Sequence, residues 1–321
     1  MHPLKSAKLR QWGADAVLLC VAFIWGSTFV IVKDALESTT VFAFLGQRFG
    51  LAFLIFLPFL WRFRQSFRRQ CLIRGGLLGL FLFGAFAFQT IGLTLTTATN
   101  TAFVTGMNVV LVPIFNALFF GRLVPGSVML GICLAATGLA ALCLGSSLTV
   151  NPGDAIVLAC AACIAMQIIL TGRYAKDDST VWLAGIQIGT VALLSIGCAG
   201  LREEPVLVWK PEIFWALMLC AFLASSFAFW AQTAMQRYTI PSKAALIFCM
   251  EPVFGAVCAW LVRGEQLGGS GVFGAGLIVV GMLLAEAPQG SLKLKRPLQG
   301  RKLDLKQEGI NGDEERGNAN L

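Results

Sequence analysis

The chain has 321 residues, of which 57% are hydrophobic and 13% charged, and its mean hydropathy is +0.75. Such a composition provides no wettable globular surface, which excludes a soluble fold and points to apolar runs near the roughly 20 residues that cross a bilayer as a helix. The net charge of +8 lies in Lys and Arg blocks beside apolar segments. There it serves orientation and contact with anionic membrane lipids, which excludes a nucleic-acid partner.

Residues 1–13, with Lys5, Lys8 and Arg10, read as a cytoplasmic N-terminal tail before the apolar run 14–33. That order imitates a secretory signal, but Gly26-Ser27 is a poor cleavage site, so the run is expected to stay as a membrane helix. Further apolar windows fall at 40–60, 73–94, 98–120, 127–146, 153–172, 180–200, 212–235, 242–262 and 268–286, giving ten spans. After Pro288 the composition turns polar, and 288–321 reads as a disordered cytoplasmic tail. The 10 Cys are scattered through the spans as small hydrophobes. Cys160 and Cys163 are three apart, but the single His2 lies far away in the N-terminal tail, so no metal site or disulfide framework is expected.

The spans come from a duplication. At one constant spacing Gln89-Thr90 aligns with Gln232-Thr233, Met107 with Met250, Gly121 with Gly264, Gly131 with Gly274 and Gly138 with Gly281. A second constant spacing upstream aligns Asp15 with Asp154, Gly46 with Gly185, Arg48 with Gln187 and Gly50 with Gly189. The two copies are expected over 14–146 and 147–287. Five spans is an odd number, so the second copy enters the bilayer upside down. The expected fold is an all-α polytopic membrane protein of ten transmembrane helices, arranged as two inverted five-helix repeats. Positive charge agrees, since Arg62, Arg64, Arg68, Arg69, Arg122, Arg173 and Lys176 all fall on the side of both chain ends. The opposite side receives Lys33, Arg202, Lys210 and Arg263. Both ends are therefore expected in the cytoplasm.

With the duplicated unit stand Trp25-Gly26-Ser27-Thr28-Phe29, Arg48, Glu251-Pro252, Gly264-Glu265, and the run Thr101 to Gly106 followed by Val110-Leu111-Val112-Pro113. In these features the chain resembles the EamA-type family of the drug/metabolite transporter superfamily from residue 14 to about 287. The resemblance implies a ten-helix transporter of small metabolites in a bacterial inner membrane. Arg122 stands where the family often repeats the Gly-Glu pair, and Asn108 stands where the second copy has Glu251, so the two halves lack equivalent carboxylates.

Ionisable and amide side chains inside a membrane are costly unless paired or hydrated, which makes each one a candidate. Glu251 lies within the ninth span beside Pro252, which removes a helix hydrogen bond. It is expected either to contact substrate or a coupling proton, or to pair with another helix. Arg48, mid-span, suits a substrate oxyanion, and serves equally as a counter-ion for Glu251. Thr101, Thr105 and Asn108 share one helical face. Gln89 and Gln232 match across the repeat and should face the interior, as interhelical glue or as ligand contacts, and Gln187, the neutral counterpart of Arg48, is expected with them in an asymmetric pocket. Trp25 is expected to serve core packing or an interfacial belt, or alternatively to floor a binding cavity. Lys243 is expected to snorkel, and Asp15 and Asp154 to open their helices.

No nucleotide-binding loop of the G-x-x-x-x-G-K-[ST] kind occurs, so gradients are expected to supply energy. The expected function is a secondary active transporter, exporter or exchanger, moving a small-molecule substrate by alternating access with H+ as candidate coupling ion. No cofactor is required, and the protein is a monomer or homodimer. A channel, or a membrane-embedded enzyme or sensor, is the alternative. Opposite charges at Arg48 and Glu251 point to a zwitterion or an organic acid.

Overall fold

The computed structural model describes residues 3–36, 38–93, 95–96, 98–143, 152–202, 211–264 and 268–286. The tail 288–321 and Glu265 of the Gly264-Glu265 pair lie outside the described residues. Within them the chain is helical throughout: α1 Pro3–Leu36, α2 Val41–Arg62, α3 Arg69–Leu93, α4 Ala98–Gly106, α5 Asn108–Phe120, α6 Gly126–Cys143, α7 Pro152–Tyr174, α8 Thr180–Leu201, α9 Pro211–Leu219, α10 Ala228–Gln236, α11 Pro241–Phe248, α12 Glu251–Arg263 and α13 Gly269–Glu286. In three places one helix follows directly on another. α4 runs into α5 at Met107, α9 into α10 through a π-helical stretch at Cys220–Phe227, and α11 into α12 at Cys249-Met250. The described helices thus form the ten expected spans. In hydrocarbon every backbone amide must be satisfied within its own segment, and helices do this.

The spans run as inverted repeats. A methyl group added at Gly131 would stand 2.5 Å from the Gly281 carbonyl oxygen, and one at Gly138 would stand 2.5 Å from that of Gly274. Early residues of α6 meet late residues of α13, so these equivalent fifth spans cross antiparallel. α2 and α8 do the same, with Gly46 against Ile196, Gly185 against Leu60 and Gly189 against Phe53. Small residues let backbones approach where no hydrophobic force distinguishes helix from lipid. Gly121 and Gly264, also repeat counterparts, end α5 and α12 in left-handed conformations with φ of 60° and 66°.

Two packed clusters flank the site. One cluster joins Leu18 and Val21 of α1 with Val109, Val112, Ile132, Ile168, Leu246 and Ile278. The other joins Phe49 and Phe56 of α2 with Leu82, Ile188, Val191 and Phe229. Trp25 packs against both. The two clusters therefore leave room between them beside Trp25.

One local expectation changes. α1 begins at Pro3, so Asp15 sits roughly three turns inside the helix and does not open it. Asp154 does lie in the first turn of α7.

Candidate functional site

A cavity of about 420 Å³ lies beside Trp25. Helix interruptions at equivalent repeat positions, Met107 and Met250, precede Asn108 and Glu251, which line it and each begin the second half of a fourth span. Pro252 explains the second interruption: it has no amide hydrogen for the Phe248 carbonyl, and the helix restarts there. From there the lining extends to Val32, Val41, Thr90 and Thr101, at the ends of α1 to α4 on one face. Of the residues singled out in the sequence, Trp25, Arg48, Gln89, Thr105, Asn108, Gln232 and Glu251 line the cavity.

Arg48 is fixed before any ligand arrives. Its Nε donates to Ser225 Oγ at 2.8 Å, and its guanidinium lies 5.3 Å from the Phe49 ring centroid and 5.5 Å from that of Phe86. The terminal amino groups have no hydrogen-bond acceptor among the described residues, and Arg48 lines the cavity. Ser225 belongs to the π-helical stretch, whose widened turn also presents the Ala224 carbonyl to Trp25 Nε1 at 2.9 Å. Ser226 Oγ donates to Ala52 O at 3.0 Å, which ties the same stretch to α2.

Glu251 shares the cavity lining with Arg48 without a direct ion pair between them. Among the described residues the ion pairs are Arg74–Asp178 and Lys243–Asp15, and the Glu251 carboxylate has no hydrogen-bond or ion-pair partner. Arg48 and Glu251 still attract each other electrostatically, so the counter-ion alternative is met at a distance and not as a direct ion pair. Gly26 explains how α1 comes so close: a methyl group there would stand 2.5 Å from the Glu251 carbonyl oxygen. Trp25, next in sequence, is held with ring centroids 5.3 Å from both Phe229 and Phe248.

The glutamines divide between wall and interior. Gln232 Nε2 donates to Gln167 Oε1 at 3.1 Å, Gln167 Nε2 to Gln187 Oε1 at 3.2 Å, and Gln187 Nε2 to Thr233 Oγ1 at 3.2 Å. This chain of amides joins α7, α8 and α10. Gln187 is fully buried within it and is absent from the cavity lining, so the counterpart of Arg48 stands one layer behind the wall. Gln167, a lining residue, was missed in the sequence, although an amide in the apolar run 153–172 was the available signal. On the first-repeat side Gln89 Nε2 donates to Thr105 Oγ1 at 3.3 Å, and Asn108 Nδ2 to Thr105 O at 2.8 Å. Gln232 Oε1 and Asn108 Oδ1 are acceptors without partners.

Towards the other face an ion pair is buried in the interior. Lys243 Nζ meets Asp15 Oδ2 at 2.8 Å, with both side chains under a tenth exposed. This corrects the expected snorkelling of Lys243 and helix capping by Asp15. α1 carries its partner far enough into the bundle to pair with α11. At the opposite face the counterpart Asp154 accepts from Thr96 Oγ1 at 2.6 Å.

The EamA-like transporter family matches twice, at residues 12–144 and 151–286. A protein described as an uncharacterized transporter from Archaeoglobus fulgidus is 34% identical over 278 residues, covering 86% of each chain. The uncharacterized transporter YyaM of Bacillus subtilis is 27% identical over 290 residues, covering 84% of this chain and 92% of its own. A solved crystal structure at 18% identity shares the fold, with a TM-score of 0.74 over 86% of this chain and 98% of that one.

Proposed function

The chain belongs to the EamA-like transporter family and is a multi-pass membrane transporter of a small molecule; on that premise we propose that it is a secondary active exporter or exchanger in a bacterial inner membrane, working by alternating access with H+ as the coupling ion. The observation that carries this is the cavity lined from both repeats, where Arg48 and Glu251 stand without a direct ion pair among the described residues. Unpaired charges inside a membrane are costly, which favours their being met by a ligand or a proton during a working cycle.

Alternating access draws support from the two ends. The cavity extends towards the face where α1 ends and α2 begins, while the buried Asp15–Lys243 pair lies towards the face where α1 and α11 begin. In the proposed cycle both chain ends are cytoplasmic, the cavity leads outward, and the ion pair closes the inner side. Inverted repeats then exchange their conformations to open that side. Each cavity belongs to a single chain, so a monomer suffices and a homodimer is compatible.

The test uses proteoliposomes containing a pH-sensitive dye, an imposed proton gradient and fractionated metabolite extracts. Active fractions should accelerate gradient dissipation in the parent protein and show counterflow, and Glu251→Gln should abolish the proton movement with the fold intact. Undiminished proton movement with an unchanged pH dependence would remove Glu251 from the mechanism.

A further inference from the structure

The turn between α2 and α3 concentrates charge that the cavity does not use. Arg62, Arg64, Arg68 and Arg69 are all exposed, and none has a hydrogen-bond acceptor or an acidic partner among the described residues. The neighbouring α7–α8 turn does not neutralise them, since Asp178 is committed to Arg74 at 2.6 Å and Asp177 is exposed beside Lys176. The corresponding connection of the second repeat, 202–210, holds Glu203 and Glu204 and no cluster of arginines. The charge is therefore no requirement of the repeated fold.

Large apolar side chains turn outward among these arginines. Trp61 is 72% exposed and Ile73 70%, and Phe63, Phe67 and Leu72 are exposed between them. The Arg64 guanidinium lies 5.4 Å from the Trp61 ring centroid, and that of Arg62 lies 5.9 Å from the centroid of Phe63, so the N–H edges stay open. A soluble polyanion would meet the arginines and leave this apolar surface in water. The turn joins the ends of two membrane spans, where hydrocarbon gives way to headgroups, and there both kinds of side chain are satisfied together. Apolar bodies lie at the boundary while guanidinium forks take phosphate oxygens.

The turn is also fixed in place, and by the other repeat. Trp182 Nε1 of α8 donates to Phe63 O at 3.0 Å, the Trp182 and Phe67 rings lie 4.6 Å apart, and Ser66 Oγ lies 3.0 Å from Ser179 Oγ. Ser66 Oγ also donates to Phe63 O at 2.8 Å within the turn. Arginines carried on a pre-formed turn bind with little cost of ordering the backbone.

We propose that the α2–α3 turn is a docking surface for the headgroups of anionic glycerophospholipids in the adjoining leaflet. The arginines take the lipid phosphates, and Trp61, Leu72 and Ile73 lie against the upper acyl chains. Because the turn is fastened to α8, lipid held there grips both repeats at one end of the bundle. The surface is independent of the carrier reading.

The test measures lipid dissociation constants on the full-length protein in detergent micelles by native mass spectrometry, with dioleoylphosphatidylglycerol, dioleoylphosphatidylcholine and inorganic phosphate as probes. Phosphatidylglycerol should bind at least about ten-fold more tightly than phosphatidylcholine, and removing Arg64, Arg68 and Arg69 together as glutamines should erase that preference, at about five-fold per cation. Neutralising Arg10, Arg122 and Arg237, three exposed arginines elsewhere on the same face, removes equal charge and should leave the preference standing. Melting in lipid-free micelles reports whether each triple variant is folded; if the first is not, the single variants Arg64→Gln, Arg68→Gln and Arg69→Gln carry the test at about five-fold each. Equal affinity for the two lipids overturns the assignment, as do equal losses in the two triple variants, which would mean diffuse charge and no site. Displacement of phosphatidylglycerol by an equal concentration of inorganic phosphate would assign the arginines to a soluble anion and overturn it as well.

Discussion

Removing the charge at Lys243 provides the most direct energetic test of the buried ion pair. Asp15 and Lys243 meet at 2.8 Å with side chains 8% and 6% exposed, and Asp15 Oδ1 has no hydrogen-bond partner in the bundle. Lys243→Met preserves the apolar stem and removes the ammonium, leaving a carboxylate with little access to water. Breaking one side of a buried pair costs about 3–5 kcal/mol, whereas replacing both partners by neutral groups is often close to neutral. At about 2–4 °C per kcal/mol for chains of 150–250 residues, the single variant should melt on the order of 10 °C below the parent. Asp15→Asn combined with Lys243→Met should recover most of that loss. Tryptophan fluorescence during heating in detergent micelles reads all four members of the cycle. If Lys243→Met melts with the parent, or the single losses simply add in the double variant, the pair is solvated.

Two other substitutions test the packing that surrounds the site. Gly274→Val places a side chain against the Gly138 carbonyl and the Leu142 amide of the antiparallel neighbour. It should destabilise by about 1–3 kcal/mol or more by overpacking, while Gly276→Ala on the same helix, with open space around it, should leave the melting temperature unchanged. Gln167→Leu removes the centre of the amide chain and strands Gln232 Nε2 and Gln187 Oε1. A cost of about 1–3 kcal/mol per unsatisfied group is expected, measured by the same melts.

The ten spans were legible because an apolar run of membrane length is a long signal, and the duplication was legible because its glycines sit at helix crossings and caps that both copies need. Polar residues at the cavity were legible for a related reason: Arg48, Gln89, Gln232 and Glu251 lie in apolar spans, where facing lipid is costly. That rule states which side chains turn inward without stating how far. Gln187, expected among the pocket residues, is instead held a layer behind the wall by Gln167 and Thr233. The π-helical stretch has no local sequence signature, so the seating of Arg48 on Ser225 was invisible although Ser225-Ser226 interrupts an apolar run. Asp15 and Lys243 stand 228 residues apart, and only the packing of α1 against α11 brings them together.

The duplication also separates what the two halves share from what they do not. Shared positions carry backbone geometry: the crossings at Gly131, Gly138, Gly274 and Gly281, the caps at Gly121 and Gly264, and the helix interruptions at Met107 and Met250. Differing positions carry charge: Arg48 against Gln187, Glu251 against Asn108, and Lys243 against Asn100. A symmetric backbone lets the halves exchange conformations in the proposed cycle, but differing charges keep the two end states from having equal energies. One face closes on a buried ion pair, and at the other Asp154 takes a hydroxyl from Thr96. Neutralising Asp15 and Lys243 together should therefore move the resting population between inward and outward forms even where total stability is restored. Thermal melts and measurements of which face is accessible consequently report different quantities, and the double variant is the one in which they should diverge.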